Sequence, residues 1–140
     1  MSTDSDSTEH EITVRRAGVA DLDAILALAN RHRDELGEPP RAPLDVELLA
    51  DERTRILLAE DAGAAVGMLA IHVCHSLFRA GDVMLLSDIY VLPEQRRSGV
   101  AGALMEHAET LARRQGCERM SLMVGDVNNA ALVTAARSGF

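Results

Sequence analysis

With 140 residues, 47% of them hydrophobic, the chain has the size and apolar content of one ordinary domain with a single core. Its formal net charge of −8 argues against a protein that binds a nucleic-acid backbone, because such binding requires a basic face. The same charge mildly favours cationic small molecules as ligands, although solubility alone also explains it. Aromatic residues are only 2% of the chain, so stacking platforms for single-stranded bases are nearly absent.

The cysteines and the N-terminal residues indicate a cytoplasmic protein. Cys74 and Cys117 have the spacing of neither a metal site nor a disulfide framework, which suits a reducing compartment. No apolar run approaches the roughly 20 residues of a membrane span, and the first residues lack the basic and apolar regions of a signal peptide. We expect residues 1–9 to be a disordered acidic tail and residues 10–140 to be one domain.

The first elements in chain order are a strand and a helix. Alternating polarity over residues 12–16 predicts a short strand. Asp21 is expected to be the N-cap of a helix that stops before Gly37, and a second short helix is expected to begin at Pro43. The apolar residues expected on one face of the first helix are Leu22, Ile25, Leu26, Ala29 and Leu36.

Three further strands are predicted to form an antiparallel meander. Residues 56–59 and 65–74 have the composition of strands, and the tight turn between them needs Gly63 at positive φ. Residues 83–91 form another strongly apolar segment, which we interpret as the third strand.

Beyond this meander the hydrophobic period changes from 2 to 3.6. It predicts a helix from near Gly99 to Gly116, then a strand over 117–124, then a last helix from Asn128 to Ser138. The order of elements therefore predicts an α/β domain with one mixed sheet and helices on its faces.

The turn that leads into the helix at Gly99 has the features of an anion site. Helix N-termini expose unpaired N–H groups, and the small side chains at Gly99, Ala101 and Gly102 let a diphosphate approach the backbone. Arg96 and Arg97 add positive charge beside it. Tight packing alone also explains such glycines, and the patterns of dinucleotide-binding and P-loop proteins are missing.

The segment Val91 to Leu104 resembles the acetyl-CoA motif of the GNAT N-acetyltransferase superfamily. That motif has Gln or Arg, then Gly three residues later, then Gly or Ala two residues after that, which match Arg96, Gly99 and Ala101. The ending Asn128 to Phe140 is similar to the last helix of the same family. The resemblance implies a mostly antiparallel mixed sheet with helices on both faces, and acetyl-CoA or another acyl-CoA as co-substrate, with no metal.

The resemblance also implies roles for individual residues. Backbone groups of Ile89, Tyr90 and Val91 are expected to bind pantetheine and polarise the thioester carbonyl, and Asn128 is expected to touch the pantetheine arm. The backbone amides expected to hold the pyrophosphate follow Arg96 and belong to Arg97, Ser98, Gly99, Val100, Ala101 and Gly102.

Two positions depart from the family's catalytic pattern. Many relatives carry Glu at the position of Ser87 and Tyr at the position of Ala135. Asp88 is the candidate general base, and Tyr90, on the same face, is the candidate replacement for the phenol. A structural, hydrogen-bonded carboxylate and a core aromatic are the alternatives for these two residues.

His72 and His75 stand on the neighbouring strand at an odd spacing, which points them to opposite faces and away from a shared metal site. Packing is the ordinary role for such histidines, and a proton relay is the less favoured alternative.

The family usually continues with two more strands after the position of Phe140, where this sequence stops. The strand over 117–124 is then expected to be an open edge covered in a homo-oligomer such as a dimer, or else the sequence is a shortened form.

The leading hypothesis is an N-acetyltransferase that moves an acetyl group from acetyl-CoA to the amine of a small molecule or peptide by direct attack. The alternatives are a non-catalytic acyl-CoA sensor or interaction module, and a structural subunit that binds nothing. The loops over residues 30–45 and 76–82 are expected to select the acceptor.

Overall fold

The computed structural model describes residues 11–40, 47–77 and 80–122. Within those ranges the sheet has five strands in the order β1, β2, β3, β4, β5. Their bounds are Ile12–Arg16, Thr54–Asp61, Ala64–His75, Asp82–Val91 and Arg119–Leu122. The first four strands are antiparallel neighbours, and β5 pairs with β4 in parallel. The mixed, mostly antiparallel sheet is therefore confirmed.

Helices cover both faces of this sheet, as expected. Helix α1 (Leu22–Glu35) packs on one face, the four-residue α2 (Glu47–Ala50) precedes β2, and α3 (Val100–Arg114) packs on the other face. The buried core on the α3 face includes Leu57, Leu69, Ile71, Met84, Leu86, Ile89, Leu104 and Met105. The smaller cluster on the α1 face contains Ala17, Ile25, Leu28, Ile56, Leu58 and Tyr90.

The hairpin between β2 and β3 has the predicted turn. Gly63 has φ +88°, and Ala62 before it also has positive φ, +52°. Two left-handed residues at the centre of a two-residue loop match the twist of antiparallel strands. The turn therefore fixes the register of the meander.

Asp21 stands at the predicted boundary of α1, but its side chain caps a different element. It lies at the end of a short 3-10 helix, Val19–Asp21, and accepts a 2.8 Å hydrogen bond from the Gly18 N–H. No side-chain hydrogen bond caps α1 itself. The Arg15 guanidinium donates two 2.8 Å hydrogen bonds to the same carboxylate. The Arg15 hydrogen bonds, with that from Gly18, lower the pKa of Asp21 to about 2.

The buried stripe of α1 differs at its end from the prediction. Ile25 is buried as expected, Leu28 is buried although it was not foreseen, and Leu36 is 42% exposed, so its assignment to the core was wrong. Leu36 lies past the last helical turn. The half-buried His32 lies nearer the core in this part of α1, with its ring 4.9 Å from that of Tyr90.

Gly67 of β3 determines how closely α3 approaches the sheet. A Cβ at this position would lie 2.8 Å from the Val100 Cγ1 atom and 3.1 Å from the Tyr90 carbonyl oxygen. Because no side chain larger than hydrogen fits, the first turn of α3 rests directly on β3 and β4. The N-terminus of α3 is therefore held firmly against the end of β4.

The end of α3 agrees with the prediction, since the helix ends at Arg114 and Gly116 follows with φ +70°. Strand β5 is described as far as Leu122, so part of the predicted strand over 117–124 lies outside the described residues. The predicted tail, the helix start at Pro43 and the last helix with Asn128, Ala135 and Phe140 lie outside them as well. None of the described helices is long and apolar enough to cross a membrane.

Candidate active site

A β-bulge in β4 brings polar side chains to the middle of the sheet. Ala70 pairs with Asp88, while the next residue of β3, Ile71, pairs with Leu86. Ser87 is thus the extra residue of β4, and it has no backbone pairing partner in β3. Bulges of this kind re-aim side chains and are over-represented beside active sites.

The bulge also changes which residues of β4 face each helix. Before it, Met84 and Leu86 are buried in the core on the α3 face, and after it Ile89 and Val91 are buried there. Tyr90 is therefore directed to the α1 face, where it is 1% exposed. Asp88 is exposed to solvent.

The N-terminus of α3 follows β4 after a short 3-10 helix, Pro93–Gln95. Gly99 is its N-cap residue at φ +89°, no side chain caps the helix, and its first turn contains no acidic residue. The N–H of Ala103 makes a 3.0 Å hydrogen bond to the Gly99 carbonyl oxygen. The N–H groups of the preceding turn have no acceptor within the helix, since an α-helix leaves its first four donors unpaired. An anion fits this end because unpaired donors and the positive end of the helix dipole meet there.

The loop just before Gly99 is shaped by left-handed backbone at Arg97, whose φ is +71°. Such a conformation costs a non-glycine residue of the order of 1 kcal/mol and is concentrated at ligand-binding loops. The Arg97 side chain is exposed, whereas the Ser98 hydroxyl donates to the Gln95 carbonyl oxygen inside the loop. An Ala101 side chain and a bare Gly102 complete the first turn, and a Cβ added at Gly102 meets no atom within 4 Å. The residues of this turn therefore fit a pyrophosphate that approaches from outside.

Arg96 lies inside the loop and holds it to the rest of the fold. Its Nε donates to the Val91 carbonyl oxygen at 3.1 Å, and its Nη2 lies 3.0 Å from Glu35 Oε1 on α1. The same guanidinium stands 5.7 Å from the centre of the Tyr90 ring. Its charge is thus paired with Glu35 within the fold.

Tyr90 shares this cluster, and its hydroxyl donates to Glu35. Burial is the main reason that the pKa of Tyr90 rises to about 12, and the hydrogen bond to Glu35 adds to it. For Glu35, burial acts to raise the pKa, but the hydrogen bonds from Tyr90 and Arg96 together lower it. The phenol therefore keeps its proton at neutral pH and directs it at α1.

Asp88 is adjacent to a chain of polar side chains. It accepts a 3.1 Å hydrogen bond from the Ser87 hydroxyl, and Ser87 Oγ lies 2.9 Å from Nε2 of His72. His75 lies on the other side of the strand, where its Nδ1 is 2.7 Å from Asp82 Oδ1. The structure thus brings Asp88 and His72 together through Ser87.

The carbonyl and amide groups proposed to bind pantetheine belong to the end of β4. Within the described residues, β5 pairs with β4 only from Val83 to Leu86. Ile89 and Val91 lie beyond that pairing. Within the described residues, no strand therefore pairs with their backbone on the β5 side, where they are predicted to bind pantetheine. Asn128, the other predicted pantetheine contact, lies outside the described residues.

The comparison with known proteins decides the family. The acetyltransferase (GNAT) family matches residues 22–140, which is most of the chain. The chain belongs to the acetyltransferase (GNAT) family. It is therefore an N-acetyltransferase of a family that uses acetyl-CoA.

Similar proteins agree with this assignment. The uncharacterized N-acetyltransferase YhfO of Bacillus subtilis (strain 168) is 24% identical over 133 residues, which are 92% of this chain and 89% of that protein. The ribosomal-protein-alanine N-acetyltransferase of Brucella melitensis biovar Abortus 2308 has a TM-score of 0.81 at 18% identity, covering 91% of this chain and 90% of its own. An aminoglycoside N-acetyltransferase solved in complex with CoA has a TM-score of 0.75 at 23% identity, covering 94% and 88%. These solved structures share the GNAT fold.

The sequence singled out the loop and Asp88 as candidates, but not the residues that contact them. Glu35 was assigned no role because its partners, Tyr90 and Arg96, stand 55 and 61 residues further along the chain. Thr54, which lies 3.1 Å from His72 Nδ1, was missed for the same reason. The sequence predicted the hairpin that joins these two strands, but not which of their side chains would contact each other.

Proposed function

We propose that this GNAT protein transfers the acetyl group of acetyl-CoA to the amine of a small molecule or peptide by direct attack. The observation that carries the proposal is the N-terminus of α3: it has no side-chain cap, no acidic residue in its first turn, and a left-handed glycine, Gly99, at its start. The match to a family that uses acetyl-CoA supports acetyl-CoA as the anion bound there.

In this proposal the chain holds acetyl-CoA mainly through its backbone. The amides from Arg97 to Gly102 take the pyrophosphate, although the Ser98 N–H also makes a long, 3.4 Å hydrogen bond to the Gln95 carbonyl oxygen. The exposed Arg97 side chain adds positive charge in an otherwise acidic protein. Backbone groups of Ile89, Tyr90 and Val91 bind pantetheine and polarise the thioester carbonyl, and Asn128 touches the pantetheine arm. Arg96 does not touch the pyrophosphate in this proposal but acts indirectly, because its contacts with Val91 and Glu35 fix the loop.

Acetyl transfer then needs a group that removes the amine proton. Asp88 is exposed at the bulge, one residue before the proposed thioester site, and we assign it or a water that it holds as the base. Tyr90 remains a candidate proton donor for the leaving thiolate. Its pKa of about 12 keeps the phenol protonated but makes it a weaker acid, and its hydroxyl points at Glu35. We therefore give its phenol a supporting role, as the anchor of α1.

A small-molecule amine is the acceptor that we favour. Two solved neighbours are named aminoglycoside acetyltransferases, and a relative from Streptomyces lavendulae is named streptothricin acetyltransferase. The net charge of −8 attracts a cationic amine over long range. The loop after α1 and the turn after β3 are the segments expected to select it.

Two measurements test the proposal. Acetyl-CoA at about 100 times its dissociation constant should add nearly 3 kcal/mol to the unfolding free energy, which thermal denaturation detects. A thiol-release assay over a panel of amines should then find turnover. Asp88→Asn should lower kcat at least tenfold, with Asp82→Asn on the same strand as the matched control.

Each possible failure has its own meaning. Without stabilisation by acetyl-CoA or CoA, the proposal would be refuted together with the sensor alternative. Stabilisation without turnover of any amine would favour the non-catalytic acyl-CoA sensor. Unchanged turnover in Asp88→Asn would remove Asp88 from the mechanism.

A further inference from the structure

Five polar side chains form a continuous line across three neighbouring strands. Asp51 Oδ2 lies 3.4 Å from Thr54 Oγ1, which lies 3.1 Å from His72 Nδ1. On the other side of the imidazole, His72 Nε2 lies 2.9 Å from Ser87 Oγ, which lies 3.1 Å from Asp88 Oδ2. The line therefore runs from one carboxylate to another through a single imidazole.

The sheet register explains why these residues meet. Thr54 and His72 are directly paired across β2 and β3, and His72 is paired with Leu85 of β4. The bulge after Leu86 then turns Ser87 towards His72. In a regular ladder this position would face a β3 residue of its own, so the contact between Ser87 and His72 depends on the bulge.

The exposure of the line changes along its length. Asp51 and Asp88 at the two ends are exposed, whereas Thr54, His72 and Ser87 are partly buried. Both ring nitrogens of His72 thus face hydroxyl oxygens rather than bulk solvent. A proton that enters at Asp88 and leaves at Asp51 would pass through protein atoms between two solvent-facing ends.

The number of hydrogens allows two opposite arrangements along the line. Each hydroxyl carries one hydrogen, and a neutral imidazole carries one on either nitrogen. In the arrangement directed at Asp51, the Ser87 hydroxyl donates to His72 Nε2, His72 Nδ1–H donates to Thr54, and Thr54 donates to Asp51. In the opposite arrangement every one of these hydrogens points towards Asp88.

We propose that Thr54, His72 and Ser87 relay the amine proton from Asp88 to Asp51 during acetyl transfer, with His72 acting through Ser87. This proposal rests on the proposed function. The amine N–H bond breaks as Asp88 takes the proton, and the thiolate leaves with the electron pair of the thioester bond. Asp88 passes its proton to Ser87, Ser87 passes its own to His72 Nε2, and His72 Nδ1 passes one to Thr54.

The last transfer runs from Thr54 to Asp51, which releases the proton to solvent. In each step one bond to hydrogen breaks and one forms, and the imidazole again carries a single hydrogen at the end. The hydrogens then point towards Asp88. Before the next turnover the two hydroxyl groups rotate back, and the His72 ring turns out of the line, loses its Nε2 hydrogen to water and takes one from water at Nδ1. No metal, oxidant or other reactant is required.

The test compares two histidines of the same strand. His72→Gln keeps a side-chain group that can bond to Ser87 but cannot pass a proton from one ring nitrogen to the other. His75→Gln is the matched control, because His75 is exposed and pairs with Asp82 outside the line. We expect His72→Gln to lower kcat about 100-fold without changing the KM for acetyl-CoA, and His75→Gln to leave both unchanged.

Two further variants separate a relay from a packing role. Thr54→Val, which keeps the shape of the side chain, should lower kcat in the same way, and free imidazole should partly restore kcat in His72→Ala. Equal kcat in His72→Gln and His75→Gln, or a Thr54→Val variant with the wild-type kcat, would overturn the relay while the proposed function stands. A wild-type protein that acetylates no amine would overturn both.

Discussion

Gly99 and Gly116 stand at the two ends of α3 and offer a matched pair of substitutions. Their φ angles are +89° and +70°, and a Cβ added at either position meets no atom within 4 Å. Alanine at each position therefore brings backbone strain without a steric clash. We expect Gly99→Ala and Gly116→Ala each to lower the unfolding free energy by about 1–2 kcal/mol.

The two variants should differ in their response to CoA. At a CoA concentration 100 times the wild-type dissociation constant, bound ligand adds about 2.7 kcal/mol to the stability. A tenfold weaker site, which we expect in Gly99→Ala because the amides of this loop are proposed to receive the pyrophosphate, would reduce this gain to about 1.4 kcal/mol. Gly116→Ala lies at the far end of the helix and should keep the full gain.

Urea denaturation with and without CoA measures all of these quantities in one experiment. The difference between the two variants in the stability gained from CoA is informative, because both carry similar backbone strain and differ only in which end of α3 they change. If Gly99→Ala gains as much from CoA as Gly116→Ala, the pyrophosphate does not lie on the N-terminus of α3, and the assignment of the loop fails.

Two other predictions concern stability. Gly67→Ala should lower the unfolding free energy by about 1–3 kcal/mol, because the new methyl group lies 2.8 Å from Val100 and 3.1 Å from a backbone carbonyl of β4. Gly102→Ala is the control: it has open space around it and should not destabilise the protein in urea. Equal urea midpoints for these variants would contradict the close packing of α3. Asp21→Asn should lower the unfolding free energy by roughly 1 kcal/mol at pH 7. The fall of the Asp21 pKa from 3.8 to about 2 would by itself correspond to roughly twice that value. We expect the smaller effect because the Arg15 side chain is 45% exposed and solvent screens the ion pair. A lowered pKa stabilises the fold above pH 3.8 and loses this effect as the pH falls towards 2, so the wild type and the variant should converge in acid; a constant difference down to pH 2 would argue against the ion pair.

Much of the fold was predictable because its signals are local. The turn at Gly63, the stop at Gly116 and the change of period near Gly99 each depend on a few adjacent residues, and all three agree with the structure. The error at Leu36 arose because helical spacing was extended past the end of α1. Spacing alone does not show where a helix ends, and no local pattern indicates that His32 packs against Tyr90.

The supporting residues of the site were not predictable, for a different physical reason. The pattern of 83–91 indicated one regular strand, whereas the bulge at Ser87 is a property of how β3 and β4 pair. The contact of Glu35 with Arg96 likewise requires α1 and the loop to be packed on the same sheet. Motifs therefore located the candidate acetyl-CoA loop and Asp88, and only the three-dimensional pairing revealed their neighbours.

The bulge has a further consequence for how the family can vary. Ser87 has no backbone pairing partner in β3, and neither hydrophobic cluster includes it. Its hydroxyl does contact His72 and the Ala70 carbonyl oxygen of β3, so a substitution would change hydrogen bonds rather than apolar packing. Its neighbours Leu86 and Ile89, by contrast, are fixed by the core on the α3 face. Position 87 can therefore exchange a glutamate for a serine, or the reverse, without repacking the apolar core. The extra residue would let the proposed proton-transfer position vary independently of the core.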